Sequence, residues 1–186
     1  MITREYAKTG VDIIALDLSF RSLDYLRNRI DPISVVQGDV GALPFMNGYF
    51  NKALCANTLQ HLPSSALRAK AVSELARVTK QNGSVIVTAH CLSRNKIADG
   101  WVKEGNPGQE GVQYIFRFET NDFEELLSRH FRSVRVTGCG LPFPYRFRLT
   151  PFSRVAERLA SRLPISAEYG HMLLAVCRQP IKRTWQ

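Results

Sequence analysis

Short apolar runs ending in a polar residue set the rhythm of the first half of the chain. "VDIIALD" (11–17) reads as a strand that stops at the acid Asp17. "SFRSLDYLRNRI" (19–30) follows, with Leu23, Leu26 and Ile30 at helical spacing and Ser19 placed as an N-cap. Pro32 closes that helix, and "ISVVQGD" (33–39) is a second strand that again ends in an acid, Asp39. A loop, "GALPFMNGYF", leads to a third strand, "FNKALCAN" (50–57). The next helix is predicted over 63–80, capped by Ser64 or Ser65, with Leu67, Ala71, Leu75 and Val78 on one face and Gly83 marking its end. "SVIVTAH" (84–90) is a fourth strand.

The rhythm then loosens. Residues 91–111 carry glycines, asparagines and a proline and read as a loop, long enough to be functional or mobile. "VQYIFRF" (112–118) alternates as a short strand, and "NDFEELLSRHF" reads as a helix with Asn121 and Glu124 at capping-box spacing. "SVRVTG" (133–138) and "HMLLAVCR" (171–178) are strands. Between them "TPFSRVAERLASRLP" places Phe152, Val155, Leu159 and Leu163 on one helical face. A short helix is also predicted over 3–9, with Gly10 as its stop. Alternating strands and helices argue for an α/β fold with a mostly parallel sheet. The last two strands lack the βαβ rhythm, so one is expected to run antiparallel, as an edge strand.

Composition narrows the setting. The chain has 186 residues, enough for one domain, and 45% of them are hydrophobic. No stretch approaches the roughly 18 apolar residues of a membrane span, and "MITREYAKTG" has no apolar signal run. A soluble cytoplasmic protein is the expectation. Cys55, Cys91, Cys139 and Cys177 form no C-x-x-C pair, so no metal site is signalled; Cys55 and Cys177 sit in apolar runs, as buried thiols do. Residues 1–128 hold 14 Lys/Arg against 14 Asp/Glu, whereas residues 129–186 hold 11 against 2, so the whole net charge of +9 lies in the last third. Such asymmetry suits either an acidic partner, an anionic membrane surface among them, or a solvated basic face. Within 141–165 an apolar stripe runs beside Arg154, Arg158 and Arg162, which suits a helix on anionic membrane or a cap over a pocket.

An acid at a strand tip holds a ribose in many nucleotide-binding α/β folds, but it usually follows a glycine-rich turn by about 20 residues. No such turn lies in the 16 residues before Asp17. Two further strings narrow the choice: "GDVGALPF" (38–45) and "LCANTLQHLP" (54–63). With "VDIIALD", in this order and spacing, they make the chain similar to class I S-adenosylmethionine-dependent methyltransferases of the group that modifies small molecules and lipids. The resemblance runs over nearly the whole chain. It implies a single Rossmann-like domain over 1–186, with helices on both faces of a mostly parallel sheet and one antiparallel strand near the C-terminus. It implies S-adenosylmethionine as cofactor and a small-molecule or lipid methyl acceptor. No nucleic acid is expected as a partner.

Residue by residue, the resemblance implies that Asp17 accepts from the ribose hydroxyls and that the backbone at Leu18 flanks the adenosine. Asp39 would accept from the adenine amino group, the Val40 amide would donate to a ring nitrogen, and Asn57 would sit beside the methionine portion. Residues 91–119 and 141–165 would form the acceptor-side loop and cap. His61, which opens the next helix, His90 and Tyr114 are candidates for a general base. Acids after strands are also ordinary turn formers and helix caps, so each role has a structural reading beside it.

The resemblance leaves one piece out: the family's first strand and its G-x-G-x-G turn precede a helix like 3–9, and this sequence begins after them. A central strand buries about five apolar side chains at roughly 1.5–3 kcal/mol each. That is on the order of 10 kcal/mol, against the ~5–15 kcal/mol by which a domain is stable. Residues 1–186 alone are therefore expected to be unstable, or to close the sheet differently. A fragment of a longer protein, a non-catalytic binding module, and a strand supplied by another polypeptide are the competing explanations. A dinucleotide-binding enzyme fragment of the NAD type is the remaining functional alternative.

Overall fold

The computed structural model describes residue 3 and residues 10–30, 33–105, 114–139 and 170–182. The chain divides into two compact units, Met1–Phe45 and Met46–Gln186. Of the helix predicted over 3–9 only residue 3, which is helical, is described; the helix within 151–165 and the cap over 141–165 with its arginines lie outside the described residues.

In the first unit, strand β1 (Ile14–Asp17), helix α1 (Phe20–Arg27) and strand β2 (Ser34–Gln37) follow one another. The two strands pair in parallel, Ile14 opposite Ser34 and Asp17 opposite Gln37. Ser19 caps α1 as expected: its Oγ accepts from the Ser22 amide at 3.3 Å. Leu23 and Leu26 form the buried face of α1, and Ile30 and Leu43 are buried as well. The helix ends at Arg27, before Pro32 is reached.

The second unit holds a four-stranded sheet in the order β3-β4-β6-β5. Its strands are β3 (Phe50–Ala56), β4 (Thr79–His90), β5 (Phe131–Cys139) and β6 (Met172–Pro180). β3 and β4 are parallel, and β6 is antiparallel to both β4 and β5. One strand is therefore reversed, as expected, but it lies inside the sheet rather than at an edge. Central placement suits it: Leu173, Ala175 and Cys177 are fully buried. Helix α2 (Ser65–Val78) connects β3 to β4, capped by Ser64, whose Oγ accepts from the Leu67 amide at 3.2 Å. Ala71, Val72, Leu75, Ala76 and Val78 form its buried face, whereas Leu67 is exposed. Helix α4 (Thr120–Ser128) delivers Phe123 and Leu127 to the core beside Phe118 and Phe131.

Several local expectations change. Gly83 does not end α2, which stops at Val78; it lies within β4, where a Cβ would meet the Asn51 carbonyl oxygen and Thr79 Cγ2, each at 2.7 Å. The close approach accompanies a shift in register, Phe50 opposite Thr79 but Lys52 opposite Ser84. The N-cap of α4 is Glu119, not Asn121, and no side chain caps it. The 91–111 stretch contains a short helix, α3 (Arg94–Ala98). Residues 114–118 form two isolated bridges, Phe118 with Cys91 and Phe116 with Glu104, rather than a ladder strand.

Candidate functional site

In the first unit the chemistry gathers at the C-terminal ends of the parallel pair. Because Asp17 stands opposite Gln37, Asp39 falls two residues beyond the same end. Gly38 packs closely there, since a Cβ on it would lie 3.1 Å from Leu16 Cδ1, and the chain turns after Asp39, which bridges to Ala42. Each acid shapes its own loop. Asp17 Oδ1 accepts from the Ser19 amide at 2.8 Å, and Asp39 Oδ1 accepts from the Gly41 amide at 2.7 Å. These are the turn-forming roles open to any Asp after a strand, and each uses one carboxylate oxygen only. Gln37 Nε2 donates to the Leu18 carbonyl at 3.0 Å, tying the tip of β2 to the loop after β1. The Val40 amide makes no hydrogen bond among the described residues. Leu18 and Phe20 stand 71% and 67% exposed beside Asp17.

In the second unit, the end of β3 runs into Asn57, whose φ of 55° is in the left-handed region. For a residue other than glycine this conformation is uncommon and costs of order 1 kcal/mol. Thr88 on β4 holds it: the Asn57 amide donates to the Thr88 carbonyl at 3.1 Å, and Thr88 Oγ1 donates to Asn57 Oδ1 at 3.1 Å. A 3₁₀ turn, Leu59–His61, follows. His61 lies in this turn and does not open α2, which begins at Ser65.

Of the three candidate bases, His61 acts electrostatically on His90, and the backbone of Tyr114 meets the His61 ring. The segment 114–118 runs between the 3₁₀ turn and the end of β4: the Phe116 amide donates to the Gln60 carbonyl at 2.7 Å and the Phe118 amide to the His90 carbonyl at 2.9 Å. A ring nitrogen of His61, Nδ1, lies 3.1 Å from the Tyr114 carbonyl oxygen. Lys96 of α3 reaches across to donate to the carbonyls of Cys91 at 2.8 Å and His171 at 3.1 Å. Arg117, only 2% exposed, donates from Nη1 to the carbonyls of Val102 and Gly105, and its guanidinium lies 4.7 Å from the centre of the Trp101 ring. Burial holds the His90 imidazole below its ordinary pKa, and the positive charges of Lys96, Arg117 and His61 push it further down. Burial likewise lowers Lys96 and Arg117. Two buried polar atoms here have no partner among the described residues, Gln60 Oε1 and the Tyr114 hydroxyl. Sequence reasoning missed Lys96 and Arg117 altogether. The only available signal was their position in and beside the glycine-rich 91–111 stretch.

The cysteines add no chemistry to the described site. Burial pushes the Cys55 and Cys91 thiols up to about 11 and Cys177 up to about 12, leaving them protonated near neutrality. Among the described residues no group of His, Cys, Asp and Glu could hold a metal ion, and no helix is long and apolar enough to cross a membrane.

Residues 1–87 match the family model of a methyltransferase domain. A demethylmenaquinone methyltransferase of Renibacterium salmoninarum is 34% identical over 82 residues, which are 44% of this chain and 33% of that protein. The chain thus matches about a third of the length of this curated relative. Among solved structures, a SAM-dependent methyltransferase of Thermotoga maritima superposes with a TM-score of 0.64 at 18% identity, covering 93% of this chain and 75% of the other. A Burkholderia thailandensis 1,6-didemethyltoxoflavin-N1-methyltransferase, solved with S-adenosylhomocysteine, superposes with a TM-score of 0.63 at 14% identity, over 95% of this chain and 65% of the other. Residues 1–87 are thus similar to a methyltransferase domain, and the chain shares the Rossmann-like α/β fold of these solved structures.

Proposed function

We propose that the chain belongs to an enzyme that transfers a methyl group from S-adenosylmethionine to a small-molecule or lipid acceptor. The placement of Asp17 and Asp39 just past the same ends of two paired strands carries this reading. Each carboxylate keeps an oxygen outside its own turn bond, Asp17 for the ribose hydroxyls and Asp39 for the adenine amino group. The Val40 amide is an unused donor for a ring nitrogen, and the exposed side chains of Leu18 and Phe20 offer apolar surface to the base. The residues present thus fit the adenosine of the cofactor. Bound S-adenosylmethionine would supply an electrophilic methyl group on a sulfonium. Asn57 is proposed as a cofactor contact on its own geometry, a left-handed backbone held at a strand end.

Displacement from a sulfonium asks a protein mainly to align the acceptor and exclude water, and a base matters when the acceptor is a hydroxyl or carbon acid. His90 is neutral near pH 7 because burial and its cationic neighbours disfavour its protonated form, which makes it a weak proton acceptor. The curated relative acts on a quinone precursor, and a quinol-type acceptor is the finer reading its name suggests. The family match ends at residue 87, before Lys96 and Arg117, so the acceptor rests on this chain's own residues.

Calorimetric titration of the purified chain with S-adenosylhomocysteine tests the proposal. Micromolar binding that weakens about tenfold in Asp17→Asn and in Asp39→Asn is expected, since each loses one charge-assisted bond worth about 1.5 kcal/mol. Absence of binding would leave a cofactor-free module of the same fold, and preference for NAD would point to a dinucleotide enzyme.

A further inference from the structure

The second unit gathers positive charge where three separate elements meet. His61 comes from the 3₁₀ turn, Lys96 from α3 and Arg117 from the 114–118 segment, and all three act electrostatically on the half-buried His90 at the end of β4. Their positions are fixed by backbone: the carbonyls of Cys91 and His171 hold Lys96, those of Val102 and Gly105 hold Arg117, and that of Tyr114 meets the His61 ring. Two partly desolvated cations and two imidazoles brought together repel one another, and each is worth more to an anion there than it would be in water. A second observation points to a ligand. Gln60, adjacent to His61 and 1% exposed, has an Oε1 without a partner, and Tyr114 ends in a buried hydroxyl without one. Buried polar groups are ordinarily paired, so two orphans on the residues whose backbones adjoin His61 suggest that partners arrive with a ligand.

We propose that this cluster, His61, His90, Lys96 and Arg117 with Gln60 and Tyr114 beside it, binds the methyl acceptor as an anion, and that the acceptor carries an acidic hydroxyl of the phenol or enol class. On binding, the O–H bond breaks heterolytically: the electron pair stays on oxygen, facing Lys96 and Arg117, and the proton leaves to solvent. The same field that disfavours a proton on His90 disfavours one on a hydroxyl placed beside it. The oxyanion formed is the nucleophile, so the cluster supplies activation without holding the proton. This inference deepens the methyltransferase reading and rests on it for the word acceptor; the anion site itself does not depend on it.

The test uses 4-nitrophenol, whose ionised form absorbs visible light, with the full chain in excess. At a pH one unit below the ordinary pKa of the probe, a downward shift of about one unit on binding raises the ionised fraction about fivefold. Lys96→Met should abolish that rise and Lys96→Arg should keep it, with melting curves confirming that each variant folds. Because Lys96 also anchors two carbonyls, His61→Glu provides an independent arm: it adds a negative charge to the cluster, leaves the Lys96 anchors alone, and should suppress the rise. Binding without a spectral change, no binding, or a rise unaffected in both Lys96→Met and His61→Glu would overturn the proposal. S-adenosylhomocysteine titration separates the two readings. A protein that binds the nucleoside but leaves nitrophenol un-ionised loses only the anion site. One that ionises nitrophenol but ignores the nucleoside keeps the site and loses methyl transfer.

Discussion

The two units of the molecule solve different problems with different means. Among the described residues of Met1–Phe45, Leu23, Leu26, Ile30 and Leu43 are the buried large apolar ones, and the strands are four residues each. Its chemistry is local: each acid is set by a turn bond to an amide two residues ahead. In Met46–Gln186 the strands run seven to twelve residues and the core is dense, with Phe118 between Phe116 at 4.7 Å and Phe123 at 5.1 Å. Its chemistry is assembled at long range, from residues as far apart as His61 and Arg117. Turn bonds between near neighbours suffice to set a strand-end acid, whereas a cluster of distant side chains depends on the packing of the elements that carry them.

That contrast can be broken most directly through stability. Phe123→Ala, at a fully buried ring, should cost about 3–5 kcal/mol in urea unfolding, whereas Leu23→Ala in the thinner unit should cost no more than about 2–3 kcal/mol. Equal costs would mean that the two units are equally well packed. Gly83→Ala comes next: its Cβ would press on the Asn51 carbonyl oxygen and on Thr79 at 2.7 Å, and a loss of about 1–3 kcal/mol is expected. A neutral result would show that the β3–β4 register relaxes freely.

The strand-tip acids should behave in the opposite manner. Asp17→Asn keeps an oxygen for the Ser19 amide, so its melting midpoint should barely move while nucleoside affinity falls about tenfold, a loss near 1.4 kcal/mol. A large loss of stability with unchanged affinity would make Asp17 a turn former and nothing more.

The smallest effect is a pH dependence. His90 is held below its ordinary value of 6.5, so the folded state binds fewer protons than the unfolded chain. Its contribution is fully present above 6.5 and fades as the pH falls through the window below it. The melting midpoint should therefore drop less steeply on acidification in His90→Asn than in the parent; identical slopes would remove His90 as the titrating group. Cys55 and Cys177, buried and protonated, should resist a thiol reagent until the protein unfolds.

Both strand-tip acids, both serine caps and the reversed late strand could be read from the chain, because each depends on neighbours a few residues away or on period-two burial. The errors share a cause. Gly83 looks like a helix stop, yet what requires glycine is a backbone oxygen 32 positions earlier, Asn51. Asn121 has capping spacing, but the chain enters α4 two residues sooner, at Glu119. One of the last two strands is expected to be reversed at an edge, but the reversed one, β6, lies between β4 and β5, because nothing in its own sequence says which strands will flank it.

The sequence alone determined the α/β rhythm, the family resemblance, and the identity of the residues at the ends of β1 and β2. Local hydrogen bonds and the alternation of buried side chains act over short stretches, and both are written in residue order. Only tertiary structure decided that His61, His90, Lys96 and Arg117 share one electrostatic neighbourhood. Coulomb forces depend on separation in space, and that separation is fixed by carbonyls from four other places in the chain.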